Sequence, residues 1–183
     1  RHPSTTPIKI PEGMGGIQPN LSIVYNSQSG NGLLGWGWTL GGLSAITRVG
    51  QTDYHDGRVT GVALDYHDRF ALDGQRLMVL DGATYGSNGA EYRTEVDGMN
   101  KIVSHTEIIH VSNGGLFGHG SYDYEIISHF KVYTPDGNIL YYGKVDNEPD
   151  NARVIYESEG EKKVVMWLVK GVEDRRGNYM VSN

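Results

Sequence analysis

Five Asp-Gly pairs punctuate the chain, each beside short runs of β-prone residues. The pairs are Asp56-Gly57, Asp73-Gly74, Asp81-Gly82, Asp97-Gly98 and Asp136-Gly137. Asp-Gly is favoured in tight hairpin turns because both central positions of a type I′ turn need a positive φ. Turns at this spacing favour a fold of successive antiparallel hairpins. We therefore predict an all-β fold, a curved antiparallel sheet that is shell-like or an open sandwich, with little or no helix.

Two of the pairs predict individual hairpins, one with residues 70–72 and 76–80 as its strands and the other with residues 130–133 and 139–142. In the second hairpin, Thr134-Pro135-Asp136-Gly137 places proline second and glycine fourth, which fits a type I turn. Residues 21–25 and 45–49 are rich in β-branched side chains, so they are also predicted to be strands.

One stretch, residues 161–174, could be read either as a helix or as a strand. Its opening charges suit a helix start, but Val164-Val165 and residues 167–169 are β-prone and Gly171 would interrupt a helix. We predict a strand that is buried on both faces. Loops are predicted at residues 113–120 and 147–151.

The composition argues against several classes of protein. The net charge is −6 and the basic residues are scattered, whereas a nucleic-acid binder normally carries a basic patch. The best apolar run, residues 164–169, is far shorter than the roughly 20 residues that a membrane helix needs. There is no cysteine, so neither a disulfide nor a cysteine metal site can form. The 26 glycines, about twice the usual share, and the 12 tyrosines suit a broad sheet whose faces are partly exposed to solvent.

Residues 30–35 match the phosphate-binding pattern G-x-G-x-x-G letter for letter. That function needs a helix directly afterwards, whose N-terminus receives the phosphate. Residues 36–42 hold too many glycines to propagate a helix. We predict a tight bend with Trp36 and Trp38 packed inward, and no bound cofactor.

The histidines do not form a recognisable metal-binding pattern. There are seven: His2, His55, His67, His105, His110, His119 and His129. His105 and His110 are five apart, so on one strand they face opposite sides, and a glycine-rich loop separates His119 from His129. No H-E-x-x-H pattern occurs. We predict no metal site.

Two pairs of aspartates, Asp53 with Asp56 and Asp65 with Asp68, are the nearest candidates for the two carboxylates of a glycoside hydrolase. Both pairs lie in turn-like sequence, where aspartate is favoured for local hydrogen bonding. Spacing does not place either pair on the two sides of a groove. The sequence therefore predicts no catalytic residues.

Two further features have a functional and a structural interpretation. Glu157-Ser158-Glu159 resembles the E-x-E of ADP-ribosyltransferases, but the Ser-Thr-Ser strand of that fold is missing. Tyr133, Tyr141 and Tyr142 could form a platform for stacking sugars. Tyrosines across a hairpin more often hold the strand register. We favour the structural interpretation of both features.

A set of ordered, co-linear motifs resembles a known family. The set comprises a proline–glycine opening at 7–13, P-x-L-S-x-x-Y-N-S at 19–27, G-N-G-x-L-G-x-G-W at 30–38, S-x-I-x-R at 44–48, L-D-G-x-R-L at 72–77, and Trp167-Leu168 with 174–179. The last element is similar to W-x-L-x-x-I-x-D-x-x-G-N, with Val172 in the isoleucine place. Together they resemble the N-terminal region of the SpvB family, shared with the B component of insecticidal Tc toxins and related Rhs/YD-repeat proteins.

The resemblance implies a structural role. In Tc-type proteins this region is similar to the opening part of a hollow β-sheet shell that continues into YD repeats and encloses a C-terminal effector. In SpvB-like toxins the effector is a separate ADP-ribosyltransferase domain, which is absent from these residues. The family supplies no catalytic residues for this region, and none are transferred.

These arguments lead to one expected function. We expect a structural shell segment of a secreted or cell-surface bacterial protein, not an enzyme. Its partners would be downstream segments of its own polypeptide or a toxin-complex subunit. Residues 1–183 would form one module of a longer chain, with an extended opening at 1–20 and a strand that begins within 174–183 and continues beyond it. The alternative is a β-sandwich recognition module that binds glycans or a protein partner.

Overall fold

The structure is a computed structural model. It describes residues 4–7, 22–25, 31–32, 35–36, 38–41, 44–96, 99–112, 120–146 and 150–181, with side chains from Ser44 to Met180 within those ranges. The strands are β1 Ser4–Pro7, β2 Ser22–Tyr25, β3 Asn31–Gly32, β4 Gly35–Trp36, β5 Trp38–Gly41, β6 Ala45–Val49, β7 Arg69–Leu72, β8 Gln75–Val79, β9 Glu91–Thr94, β10 Lys101–Val111, β11 Tyr122–Tyr133, β12 Ile139–Gly143, β13 Arg153–Ser158, β14 Glu161–Glu173 and β15 Tyr179–Val181. Among the described residues the one helix is α1, Asp53–Asp56.

Eight of the strands form a closed antiparallel barrel. Their order is β6-β7-β8-β9-β10-β11-β12-β14, and β14 pairs back onto β6. The closing pairs are Leu168 with Ala45, Trp167 with Ile46 and Met166 with Thr47. The prediction of an all-β antiparallel fold made of successive hairpins is confirmed. Closure of the sheet on itself is a finding that the sequence did not indicate.

Three short strands lie outside this barrel in a separate sheet. β2 is paired on one side with β1 and on the other with β5, both antiparallel. β3 and β4 pair with each other, and β3 also pairs with the end of β6. The strand predicted at residues 21–25 is therefore confirmed over Ser22–Tyr25. The side chains of Trp36 and Trp38 lie outside the described residues.

The barrel is filled by aromatic and aliphatic side chains. An eight-stranded barrel is just wide enough for side chains to fill its interior. Trp167 packs edge-on against Phe130 and Phe70, with ring centroids 5.1 and 5.6 Å apart, and its indole nitrogen donates to Ile127 O at 3.1 Å. The buried cluster is Ile46, Phe70, Leu72, Leu77, Ala90, Tyr92, Ile102, Ile127, Phe130, Val132, Tyr142, Val164 and Trp167.

Both hairpins predicted from their turn residues are present. Asp73 and Gly74 have φ values of 48° and 82°, as a type I′ turn requires, and they join β7 to β8. At the second turn, Gly137 N donates to Thr134 O at 2.9 Å. Val132 and Leu140 are direct partners across that hairpin.

The other Asp-Gly pairs behave differently. Gly57 ends α1 in the left-handed conformation, so Asp56-Gly57 is a helix terminus and not a hairpin turn. Asp81-Gly82 lies within the longer connection of residues 80–90 between β8 and β9. Asp97-Gly98 lies outside the described residues.

The strand predicted at residues 161–174 is confirmed as β14, but its burial on both faces is not. Val164 and Trp167 are fully buried, whereas Val165 and Leu168 on the opposite face remain half-buried. The reason is that β14 lies in the wall of a barrel, whose outer face is only partly covered. The predicted loops at 113–120 and 147–151 lie mostly outside the described residues. The part of the chain that is described contains no helix long and apolar enough to cross a membrane.

Candidate functional site at one end of the barrel

A cavity of about 270 Å³ opens at one end of the barrel, and it is the candidate site. Its lining residues come from β6, β7, β10, β11, β14 and the connections at 50–68 and 80–90: Arg48, Leu64, Asp65, Tyr66, Asp68, Phe70, Tyr85, Gly86, Thr106, Tyr124, Glu125, Ile126, Ile127, Glu161, Lys162 and Lys163. The mouth of a β-barrel is a common place for ligand sites.

Arg48 lies where the barrel core meets this cavity. Its guanidinium stands 5.6 Å from the ring centre of Phe70 and 5.7 Å from that of Trp167. Its Nε donates to Val164 O at 2.7 Å, and its Nη1 lies 3.4 Å from the carboxylate of Asp68. Burial lowers the pKa of Arg48, although Asp68 acts in the opposite direction. The arginine therefore joins β6 to β14 while it covers the end of the core.

The Asp68 carboxylate fixes the loop that forms one wall of the cavity. It accepts hydrogen bonds from Ala63 N and Leu64 N, both at 2.8 Å, in addition to the Arg48 contact. Leu64 has a φ of 60°, an unusual conformation for a branched side chain. A strained residue persists only where its surroundings hold it in place, and here the buried carboxylate does so.

Tyr85 replaces part of the strand ladder between β7 and β8. Its hydroxyl accepts from Phe70 N at 2.7 Å and donates to Leu77 O at 3.1 Å, so it bridges two strands whose direct pairing covers only two residue pairs. Burial raises the pKa of Tyr85. Its ring stacks on Phe70 with centroids 5.3 Å apart.

Polar groups and one exposed aromatic ring form the rim of the cavity. Tyr66 is 83% exposed, and its ring lies 3.8 Å from that of His67. Thr106 Oγ1 donates to the carboxylate of Glu125. Tyr124, on the same strand as Glu125, accepts a hydrogen bond at its Oη from Lys162 N of β14 at 2.6 Å. The rim therefore offers donors, acceptors and an aromatic surface.

The carboxylate pairs considered for hydrolysis are not arranged for it. Asp56 accepts from Thr52 N, Arg69 Nε and Arg76 Nη2 at 2.8–3.1 Å, on the outer side of the barrel. Burial alone would raise the pKa of Asp56, but the Thr52 hydrogen bond and the Arg76 charge lower it below its ordinary value. Asp68 is similarly occupied by Arg48. The second carboxylate of each pair therefore serves the fold.

The chain contains a short duplication that the sequence analysis missed. Asp-Tyr-His-Asp occurs at 53–56 and again at 65–68. In both copies the last aspartate binds arginine, and the tyrosine is left exposed, 89% for Tyr54 and 83% for Tyr66. Only the second copy lines the cavity. Comparing the chain with itself over short windows would have found this signal.

The histidines come together in one place that spacing did not predict. His105 and His129 are direct partners across β10 and β11, and their rings stack with centroids 4.6 Å apart. Ser128 Oγ donates to His105 O, so His129 Nδ1 must donate to Ser128 Oγ. Burial and then His105 lower the pKa of His129 to about 4. No group of three or more metal-ligating side chains occurs among the described residues.

The remaining sequence features have structural positions. Glu159, with a φ of 54°, lies in the tight turn between β13 and β14, so the E-x-E segment spans a hairpin. Tyr142 points into the core, whereas the half-buried Tyr141 donates to Glu173 at 2.6 Å, so the tyrosines do not share one face. Burial and then Glu173 raise the pKa of Tyr141 to about 12. The glycine motif of residues 30–35 leads into strands, not into a helix.

The residues of the sequence motifs hold the barrel together. Ser44 donates to the carboxylate of Asp73 at 2.7 Å, and Tyr142 Oη lies 2.8 Å from Ser44 Oγ. Asp73 also accepts from Ala45 N at 2.9 Å. Near the end of the chain, Asp174 accepts from Asn178 N at 2.9 Å and so fixes the turn before β15. The structure thus connects motif residues that lie far apart in the sequence.

An antiparallel eight-stranded barrel braced by buried polar contacts defines the class of this protein as an all-β module. The family described as "SpvB: Salmonella virulence plasmid 65kDa B protein" matches residues 2–183. The chain belongs to the SpvB family, and the resemblance seen in its motifs is confirmed. No match was found among curated proteins.

Two solved structures are similar to this chain at low identity. One is the crystal structure of TcdB2-TccC3, with 20% identity and a TM-score of 0.46, covering 97% of this chain and 8% of that one. The other is the N-terminal domain of effector protein SpvB from Salmonella typhimurium strain LT2, with 20% identity and a TM-score of 0.42, covering 93% of this chain and 50% of that one. The chain therefore spans only part of the length of either protein.

Proposed function

We propose that this chain is a structural segment of the shell of a secreted or cell-surface bacterial toxin-like protein. It contributes strands to a β-assembly that encloses a C-terminal effector. It has no active site of its own. Its partners are downstream segments of the same polypeptide or another subunit of a toxin complex.

The roles of the family motifs carry this proposal. Ser44, Arg48, Asp73 and Trp167 are all engaged in closing the barrel or covering its core. In a family of enzymes the shared motifs would include groups that converge on a reacting atom. The motif residues whose side chains the structure describes brace a β-scaffold, as a wall segment requires.

Two hairpin arms extend past the barrel and expose apolar side chains. The arms are residues 106–111 with 122–127, and residues 155–158 with 161–164, and within these spans each strand pairs only with its hairpin partner. Ile108 is 71% exposed, and Ile155 and Tyr156 are 36% and 53% exposed; Val154, at the base of the second arm, is 44% exposed. Consecutive exposed apolar residues on an edge strand favour pairing or packing with further sheet. The arms are where the assembly would continue.

The test compares the 183-residue chain with the natural polypeptide continued through its next predicted hairpins. We expect the shorter chain to self-associate at millimolar concentration in light scattering, because its apolar arms are uncovered. The longer chain should stay monomeric and unfold at a higher temperature. An extension of equal length made of glycine and serine serves as the control for added length.

Two matched variants test the arms themselves. Ile155→Lys should reduce self-association of the 183-residue chain, whereas Val59→Lys, at a more exposed aliphatic residue on the 50–68 connection (64% against 36%), should not. If the unaltered chain stays monomeric and the natural extension adds no stability, the shell proposal fails. The chain would then be a self-contained domain.

A recognition module is the second candidate function. The observation that favours it is the cavity at the barrel end, with its polar rim and exposed tyrosine. The architecture differs from the sandwich expected for such a module, because a single sheet closes on itself. A saturable ligand for this cavity, together with a monomeric chain, would favour this candidate.

A further inference from the structure

We propose that the cavity at the barrel end binds one ring of a neutral saccharide, with Tyr66 as the stacking surface. The cavity lies beside the arms, since Thr106, Glu125 and Lys163 line it, whereas the stacking residue Tyr66 is on the 50–68 connection. Saccharide binding and self-association are measured separately, so failure of this proposal can be told from failure of the shell proposal.

The cavity combines an apolar floor with a polar rim. Phe70 and Ile127 lie at the core side, while Thr106, Glu125 and Lys163 line the walls. A sugar ring has the same division, with an apolar face of C–H groups and an edge of hydroxyls. Its volume, about 270 Å³, lies just below the range of about 300–1,000 Å³ typical of small-molecule sites. The cavity therefore suits one ring and not an extended chain.

The charges around the cavity argue for a neutral ligand. The positive side chains are Arg48, Lys162 and Lys163, and the negative ones are Asp65, Asp68, Glu125 and Glu161. Arg48 and Asp68 already pair with each other, which leaves both signs represented on the walls. A phosphate or a polyamine would meet like charges there. Hydroxyl groups both donate and accept, so they can pair with carboxylates and ammonium groups alike.

Tyr66 is held ready for stacking. Asp68 fixes the preceding residues through Ala63 N and Leu64 N, and Leu64 is kept at a φ of 60°. The His67 ring lies beside the tyrosine at 3.8 Å. An aromatic ring on a rigid loop loses little conformational entropy when a ligand stacks on it. Strain of this kind often marks a binding loop.

The duplicated tetrapeptide supplies a matched control. Tyr54 occupies the same position in its copy of Asp-Tyr-His-Asp and is as exposed as Tyr66, but it does not line the cavity. Because both side chains are almost fully exposed, removing either one should leave the fold intact. A difference in binding between the two variants then reports on the cavity alone.

Saturation-transfer NMR tests the proposal with four probes: the methyl glycosides of glucose, galactose, mannose and N-acetylglucosamine. We expect at least one to bind with a saturable, millimolar Kd. Tyr66→Ala should weaken that binding by about tenfold, the effect of losing one stacked ring. Tyr66→Phe should retain it, since the ring remains, and Tyr54→Ala should leave it unchanged.

Three results would overturn the proposal. The first is that none of the four glycosides gives saturable binding. The second is that the charged comparators glucosamine and glucuronate bind while the neutral glycosides do not. The third is that Tyr54→Ala weakens binding as much as Tyr66→Ala, which would place the interaction outside the cavity.

Discussion

The β6–β8 side of the barrel buries charged groups, whereas the two hairpin arms expose apolar side chains to solvent. On the β6–β8 side, charged groups such as Arg48, Asp56 and Asp68 are largely buried, and each is paired. On the arms, apolar side chains such as Ile108 and Tyr156 face solvent. Buried pairs of this kind fix one geometry, since breaking them leaves an uncompensated charge. Exposed apolar surface is instead available for contact with another part of an assembly.

The comparison suggests a division of roles within one sheet. The barrel pairs Asp56 and Asp68 with arginines and fills its own interior with side chains. The arms share the strands β10, β11 and β14 with the barrel, so a partner bound at the arm tips would contact strands that continue into the barrel wall. Substitutions on the two sides should therefore have very different effects on stability.

The largest expected difference lies between the barrel core and an arm. Trp167→Ala removes a fully buried indole and its hydrogen bond to Ile127 O, and should lower the free energy of unfolding by about 3–5 kcal/mol. Tyr156→Ala on the arm should change it by less than about 1 kcal/mol. Urea unfolding of the two variants measures both values. Comparable losses would show that the arm is part of the same core.

The buried ion pair should give the next largest effect. Asp68→Asn leaves the Arg48 guanidinium without its charged partner at the end of the core, and should cost about 2–3 kcal/mol. The control is Asp65→Asn, the half-exposed first aspartate of the same tetrapeptide, which should cost about 0.5 kcal/mol or less. Equal costs in urea unfolding would contradict a special role for the buried carboxylate.

The hairpins could be predicted from the sequence because a turn is a local property. Asp73-Gly74 supplies its positive φ values without help from the rest of the chain. The same dipeptide at Asp56-Gly57 ends a helix instead, because the Asp56 carboxylate is held by arginines that lie 13 and 20 residues further along the chain. Local sequence does not contain that information.

Barrel closure and the cavity depend on pairings between distant residues. β14 meets β6 across about 120 residues of chain, so no short window of sequence shows it. The stacking of His105 on His129 likewise depends on the register of β10 and β11, which shifts at a bulge beside these residues. The sequence therefore predicted the local elements, but neither the cavity that they enclose nor the His105–His129 pair.

A smaller effect should come from the tyrosine that bridges β7 and β8. Tyr85→Phe leaves Phe70 N and Leu77 O without the hydroxyl that joins them, and should cost about 1–2 kcal/mol. Tyr66→Phe removes a hydroxyl from an exposed ring and should have almost no effect. A Tyr85→Phe variant as stable as the unaltered chain would mean that the two strands can pair directly.

An effect of similar size concerns the junction between the barrel and an arm, where His105 and His129 stack beside the bulge. Burial, the neighbouring His105 and the charge of Lys131 all lower the pKa of His129 to about 4, while Asp146 and Glu107 act in the opposite direction. The unfolded chain has a histidine pKa of about 6.5. The neutral imidazole therefore contributes stability above pH ~6.5 that is lost as the pH falls towards ~4.

Because His129 is only half-buried, solvent screening should limit this loss to about 1–2 kcal/mol. Carboxylates also titrate in this range, so the unaltered chain must be compared with His129→Gln. For each protein, urea unfolding gives the free energy of unfolding at pH 7 and at pH 4.5, and the loss between the two pH values is compared. The variant has no imidazole to protonate, so its stability should fall less over this interval. If both proteins lose the same free energy of unfolding over this interval, protonation of His129 does not destabilise the junction.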